Sequence, residues 1–229
     1  MKSIVEQENI IFDNWSNLIV KDGIVNEDCF LSTKIKILVI MKETNGYVNN
    51  EQDLRLFLKQ GARGDTWNNI VRWIYGLQNL DTDINKLWKN ISYVNNDTRI
   101  KYLSTISSIN LKKKPGGAST NLKELKDESK NNIEHLKKQI SLYENLNFVL
   151  CGSRDVANLI NKYELFGKIE FLQHNDTYVQ IAQVNNTIII SYYHPQVKGK
   201  GSSKEKLFKN LILSVNDYLH NKPKMFNYS

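Results

Sequence analysis

Three polar side chains stand immediately after short apolar runs. Ile35 to Met41 reads Ile-Lys-Ile-Leu-Val-Ile-Met and breaks into Lys-Glu-Thr-Asn-Gly, which sets Glu43 two residues past the run. Asn110 closes the run from Ser104, and His194-Pro195 follows Thr187 to Tyr193. A carboxylate, a carboxamide and an imidazole brought together suit cleavage of a bond between a heterocycle and a sugar. The carboxylate positions water and offsets charge on an oxocarbenium-like sugar. The carboxamide reads donor and acceptor on a flipped base, and the imidazole stabilises charge on the departing base. Each group alone has a plainer reading, as a solvated loop carboxylate, a turn former or a structural hydrogen-bonder. Only convergence makes them a site.

Convergence requires the runs to be parallel strands of one sheet, because in open parallel sheets ligands bind where strands end at their carboxyl edge. Ile35 to Met41 is too short for a helix and rich in β-branched residues, as a strand buried on both faces should be. Ser104 to Asn110, Asn147 to Cys151 and Thr187 to Tyr193 are the other core strands expected, with shorter candidates at Ile169 to Leu172 and Tyr178 to Val184. Helical spacing is expected over Asn9 to Val20, over Leu54 to Leu58, and from an Asp65 or Thr66 cap to about Leu80. It is expected again in one long helix from Asn121, which with Glu124 forms a capping-box pattern, then after Gly152-Ser153, and after Ser202 with Glu205. Trp67, Trp73 and Trp88 are expected to pack in the core. Together these elements predict one domain over residues 1–229, a three-layer α/β/α fold around a central, mainly parallel four-stranded sheet.

The chain has 229 residues with 31 Lys+Arg against 24 Asp+Glu, a formal net charge of +7. That length supports a core without staples, and the basic excess favours a polyanionic partner. Cys29 and Cys151 have no CxxC spacing, which excludes cysteine-built zinc, iron–sulfur and disulfide frameworks and implies reduced thiols. No run of about 18 apolar residues is present, so no membrane association is expected, and the chain is expected to be a cytoplasmic monomer.

Lys112-Lys113-Lys114-Pro115-Gly116-Gly117 follows Asn110, and Gln196 to Lys204 follows His194; both are rich in Lys and Gly. Backbone at Gly116 and Gly117 can approach a phosphate closely, and the ammonium groups of Lys112, Lys113, Lys198 and Lys200, with Gln196, are expected to contact DNA. Gly199-Lys200-Gly201-Ser202 does not satisfy the phosphate-loop pattern GxxxxGK[ST], and Gly152-Ser153 lacks GxGxxG.

The order and spacing of these motifs, over roughly residues 30 to 220, resemble the uracil-DNA glycosylase superfamily. Lys42-Glu43-Thr44-Asn45-Gly46 looks like the family's Gly-Glu-Ala-Pro-Gly water-activating loop, with the opening Gly and the Pro replaced. Ile109-Asn110-Leu111 resembles the base-reading motif, and His194-Pro195-Gln196 resembles His-Pro-Ser with Gln for Ser. The resemblance implies catalytic roles for Glu43 and His194. It implies base recognition by Asn110 together with Thr44, Asn45 and Tyr47, the last standing where a family aromatic screens the base pocket. Members with the Glu-type first motif generally hold an iron–sulfur cluster on four cysteines, which this chain lacks, so neither metal nor cofactor is expected.

The function expected is therefore a DNA glycosylase hydrolysing the N-glycosidic bond of uracil or another modified base. Replacement of the Gly and Pro in the first motif favours a different reading, a module of the same fold that binds a modified base in DNA without excising it. An unrelated α/β nucleoside or sugar hydrolase would act on free nucleosides and have no affinity for DNA.

Overall fold

The computed structural model describes residues 2–15, 19–46, 52–173, 177–197, 199 and 203–221. In chain order the elements are α1 (Ile4–Asp13), β1 (Gly23–Ile24), α2 (Glu27–Ser32), β2 (Ile37–Met41), α3 (Leu54–Lys59), α4 (Gly64–Leu77), α5 (Ile84–Ile91), α6 (Asn96–Leu103) and β3 (Ile106–Asn110). They continue as α7 (Leu122–Asn131), α8 (Ile133–Ile140), β4 (Phe148–Cys151), α9 (Arg154–Lys162), β5 (Leu172–Gln173), β6 (Gln180–Val184), β7 (Thr187–Ser191) and α10 (Lys204–His220).

The strands form one mixed seven-stranded sheet of order β1-β3-β2-β4-β7-β6-β5. This corrects the expected four-stranded sheet. Strands β3, β2, β4 and β7 pair in parallel, while β1 adds to one side and β6 and β5 to the other, all antiparallel. Strands β1 and β5 have two residues each, too short to carry an alternation signal of their own.

Strand β2 is fully buried from Ile37 to Ile40 because successive side chains enter different cores. Ile37, Val39 and Met41 pack with Trp73, Ile74 and Leu211 of α4 and α10. Leu38 and Ile40 pack on the opposite face with Leu125, Leu136 and Val156 of α7, α8 and α9. A continuous apolar run is what a strand covered on both faces requires, and the result is helix layers on both sides of the sheet. Trp67 and Trp73 are buried, and Trp88 packs against Phe208.

Several helix boundaries differ from expectation, each for a local reason. Helix α1 begins at Ile4, not Asn9, because Ser3 and Glu6 form a complete capping box, and it ends at Asp13. Leu18 lies outside the described residues. Helix α4 starts at Gly64 without a side-chain cap, and the Thr66 hydroxyl is used elsewhere. The expected long helix after Asn121 is two, since Asn132 leaves the helical region and serves as the C-cap of α7 and the N-cap of α8. Ser203 caps α10; Ser202 lies outside the described residues.

Candidate functional site

The parallel block brings the carboxyl ends of β3, β2, β4 and β7 to one edge, in that order. Pairing between β3 and β2 continues past the strands. Leu111 N–H donates to Met41 O, Lys112 N–H to Lys42 O, Gly116 N–H to Thr44 O, and Gly46 N–H to Gly116 O. The loop bearing Glu43 and the loop after Asn110 are thus hydrogen-bonded together. Gly46 closes the first loop with φ +72, a left-handed conformation that glycine adopts without steric cost.

The Glu43 side chain is only 5% exposed, and its Oε2 lies 2.6 Å from Lys112 Nζ, which also pairs with Glu124 at 2.9 Å. The carboxylate packs against Gly116, where a β-carbon would fall 2.3 Å from Cδ. Among the described residues, Oε1 receives no hydrogen bond. Burial alone would lower the Lys112 pKa; the hydrogen bonds and charges of Glu43 and Glu124 outweigh it and raise the value above the ordinary one.

Asn110 ends β3 opposite Met41 in register and is buried. Its backbone N–H donates to Asp22 Oδ2 at 2.8 Å, and its carboxamide has no hydrogen-bond partner among the described residues. Thr44, also buried, carries a hydroxyl with no partner among the described residues. Asn45 is exposed and bridges to Gly116.

His194 stands three residues past β7, accessible to solvent. Its Nδ1 accepts from Gln196 N–H at 3.2 Å, which places the proton of the neutral ring on Nε2. Desolvation by the surrounding protein, and then the charge of Lys42, hold its pKa below the usual histidine value. Lys42 itself is anchored 2.6 Å from Asp155 in the first turn of α9. The His-Pro loop is clamped to α4, with Asn69 Nδ2 donating to Pro195 O at 2.7 Å and Gln196 Nε2 to Thr66 Oγ1 at 2.6 Å.

The first two lysines after Asn110 do not face solvent. Lys112 is 2% exposed and Lys113 1%. Consecutive side chains at a strand end point to opposite faces, so Lys113 turns from Glu43 toward Asp22 at 2.6 Å and Gln139 at 2.9 Å. The expectation that Lys112 and Lys113 reach phosphates is at odds with this placement: both ammonium groups are buried and paired with carboxylates. Gly117 is exposed and Gly116 partly so. Tyr47, Lys198 and Lys200 lie outside the described residues.

Sequence reasoning missed Glu124, read there only as part of a cap, and Asp22. Asn121 does cap α7, but the Glu124 carboxylate goes to Lys112 instead of closing the box. It also missed a buried cluster behind the site. Glu8 of α1 accepts from Tyr143 Oη at 2.6 Å, Ile24 N–H at 3.0 Å and Arg55 Nη1 at 3.0 Å, and Arg55 pairs in turn with Asp53. Among the described residues no group of three or more His, Cys, Asp or Glu side chains is arranged to hold a metal ion. Cys29 and Cys151 are free thiols, and none of the described helices is long and apolar enough to cross a membrane. Compared with known proteins, the chain matches no family model and no curated protein.

Proposed function

We propose that the chain is a divergent DNA glycosylase of the uracil-DNA glycosylase type, hydrolysing the N-glycosidic bond of uracil or another modified base flipped out of DNA. The observation that carries the reading is the common edge: Asn110 ends one parallel strand and Glu43 and His194 follow the ends of two others, with the loops after Met41 and Asn110 hydrogen-bonded to each other. In this reaction the bond between C1′ and the base nitrogen breaks with its electron pair on the base, and water oxygen bonds to C1′. Glu43 orients the water through Oε1, takes its proton and offsets charge on the sugar. The neutral His194 ring donates from Nε2 to the base as negative charge develops. The carboxamide of Asn110 and the hydroxyl of Thr44, free of partners among the described residues, are available to a base edge.

One observation favours the second reading, a binding module of the same fold. The buried pair between Lys112 and Glu43 is also what a structural tie between two loops looks like. Incubation with oligonucleotides carrying single modified bases separates the readings. Release of free base, with an alkali-labile abasic site left behind, supports excision. Tight binding without release supports the module, and turnover of free nucleosides alone supports neither.

A further inference from the structure

Two carboxylates share one ammonium at this edge. Lys112 Nζ lies 2.6 Å from Glu43 and 2.9 Å from Glu124, so the trio carries a net charge of −1. The neighbouring charges are engaged elsewhere: Lys42 with Asp155, Lys113 with Asp22, and Lys114 with Glu128. The Lys112 ammonium therefore has no other anion to hold among the described residues. An isolated ion pair would cancel the field of Glu43, whereas the shared ammonium leaves one negative charge at the edge.

The side chains differ in freedom. Glu43 and Lys112 are 5% and 2% exposed, while Glu124 is 47% exposed in the first turn of α7, where the helix dipole favours a carboxylate. Gly116 closes the other side of the Glu43 carboxylate, and Lys112 N–H is bonded to Lys42 O, next in sequence to Glu43. The carboxylate is thus held from two directions, with Oε2 fixed and Oε1 left over.

The geometry points to Lys112 as a positioning residue for Glu43, one that engages Oε2 so that Oε1 receives the attacking water, while Glu124 preserves the negative field the sugar needs. This rests on the glycosylase reading. Lys112 touches neither water nor DNA in this scheme, and everything it does for the rate passes through Glu43.

A double-mutant cycle in single-turnover excision tests that dependence. Lys112→Met is expected to lower the rate about 30-fold, the scale of a misplaced catalytic group, with DNA affinity changed less than about twofold. In a Glu43→Gln background the same substitution is expected to cost less than about twofold. Lys112→Arg keeps the charge and is expected to restore much of the rate. If Lys112→Met does not fold, Glu124→Gln at the exposed end of the trio makes the same test, with about a threefold loss expected alone and none in the Glu43→Gln background. Equal losses in both backgrounds, or full activity of Lys112→Met, would overturn the inference and leave the glycosylase reading standing. A wild-type chain that excises no base would overturn both.

Discussion

Gly116 stands where any side chain would strike the Glu43 carboxylate: a β-carbon there would lie 2.4 Å from Oε1 and 2.6 Å from Oε2. The obstructing atoms belong to the far end of a flexible side chain, so Gly116→Ala displaces Glu43 more easily than it strains the backbone. We expect the variant to keep its melting temperature within a few degrees while losing at least about tenfold in excision, since misplacement by an ångström is costly in catalysis. Thermal unfolding alongside a single-turnover assay checks it. Large destabilisation with intact specific activity would mean that Gly116 serves the loop and not the carboxylate.

Buried Glu8 and solvent-accessible His194 should impose opposite pH dependences on stability. Burial raises the Glu8 carboxyl to about 7, only partly offset by Tyr143, Arg55 and Ile24. Its folded value lies above the ordinary 4.5, so its contribution is fully present below that pH and is lost as pH rises through about 7. The loss amounts to roughly 3 kcal/mol. His194 is depressed, so its contribution is present above the ordinary 6.5 and is lost as pH falls through the lower folded value. Urea unfolding from pH 4.5 to 8 should show Glu8→Gln flattening the neutral side and His194→Gln flattening the acid side. Unchanged pH profiles in both variants would contradict these assignments.

Lys113 should matter to stability and not to DNA. Desolvation lowers its pKa against the pull of Asp22, and its ammonium reaches Asp22 and Gln139 without meeting solvent. Lys113→Met strands the Asp22 carboxylate, which is expected to cost about 3 to 5 kcal/mol in urea unfolding. The salt dependence of DNA binding, where each phosphate contact adds about 0.9 to the slope, is expected to stay the same. A slope lower by one contact would place Lys113 at the DNA after all.

The contrast between Glu43 and Lys113 shows what local sequence carries here. Strand β2 was legible because a strand covered on both faces must be apolar throughout, and that constraint is written in five consecutive residues, Ile37 to Met41. Its abrupt end marked Glu43 for the same reason. Lys112 and Lys113 looked like solvated loop cations because their partners are far away in the chain: Lys113 meets Asp22 across 91 residues, and Lys112 meets Glu43 across 69. Strand β1 exists through pairing of Gly23 with Ser108 and has no pattern of its own. The start of α1 was legible in principle, since Ser3 and Glu6 spell a capping box, but the later apolar residues drew the reading toward Val20.

Glu43 carries the central step of the proposed excision. The most direct measurement is base release from a panel of single modified-base oligonucleotides, comparing wild type with Glu43→Gln. The wild type is expected to release at least one base and leave an alkali-labile site. Glu43→Gln is expected to bind the same oligonucleotide nearly as tightly while releasing the base at least about 10²-fold more slowly, because a general-base and charge-offsetting carboxylate acts mainly in the transition state. Release at the wild-type rate by Glu43→Gln, or no release by the wild type from any member of the panel, would contradict Glu43-driven base excision.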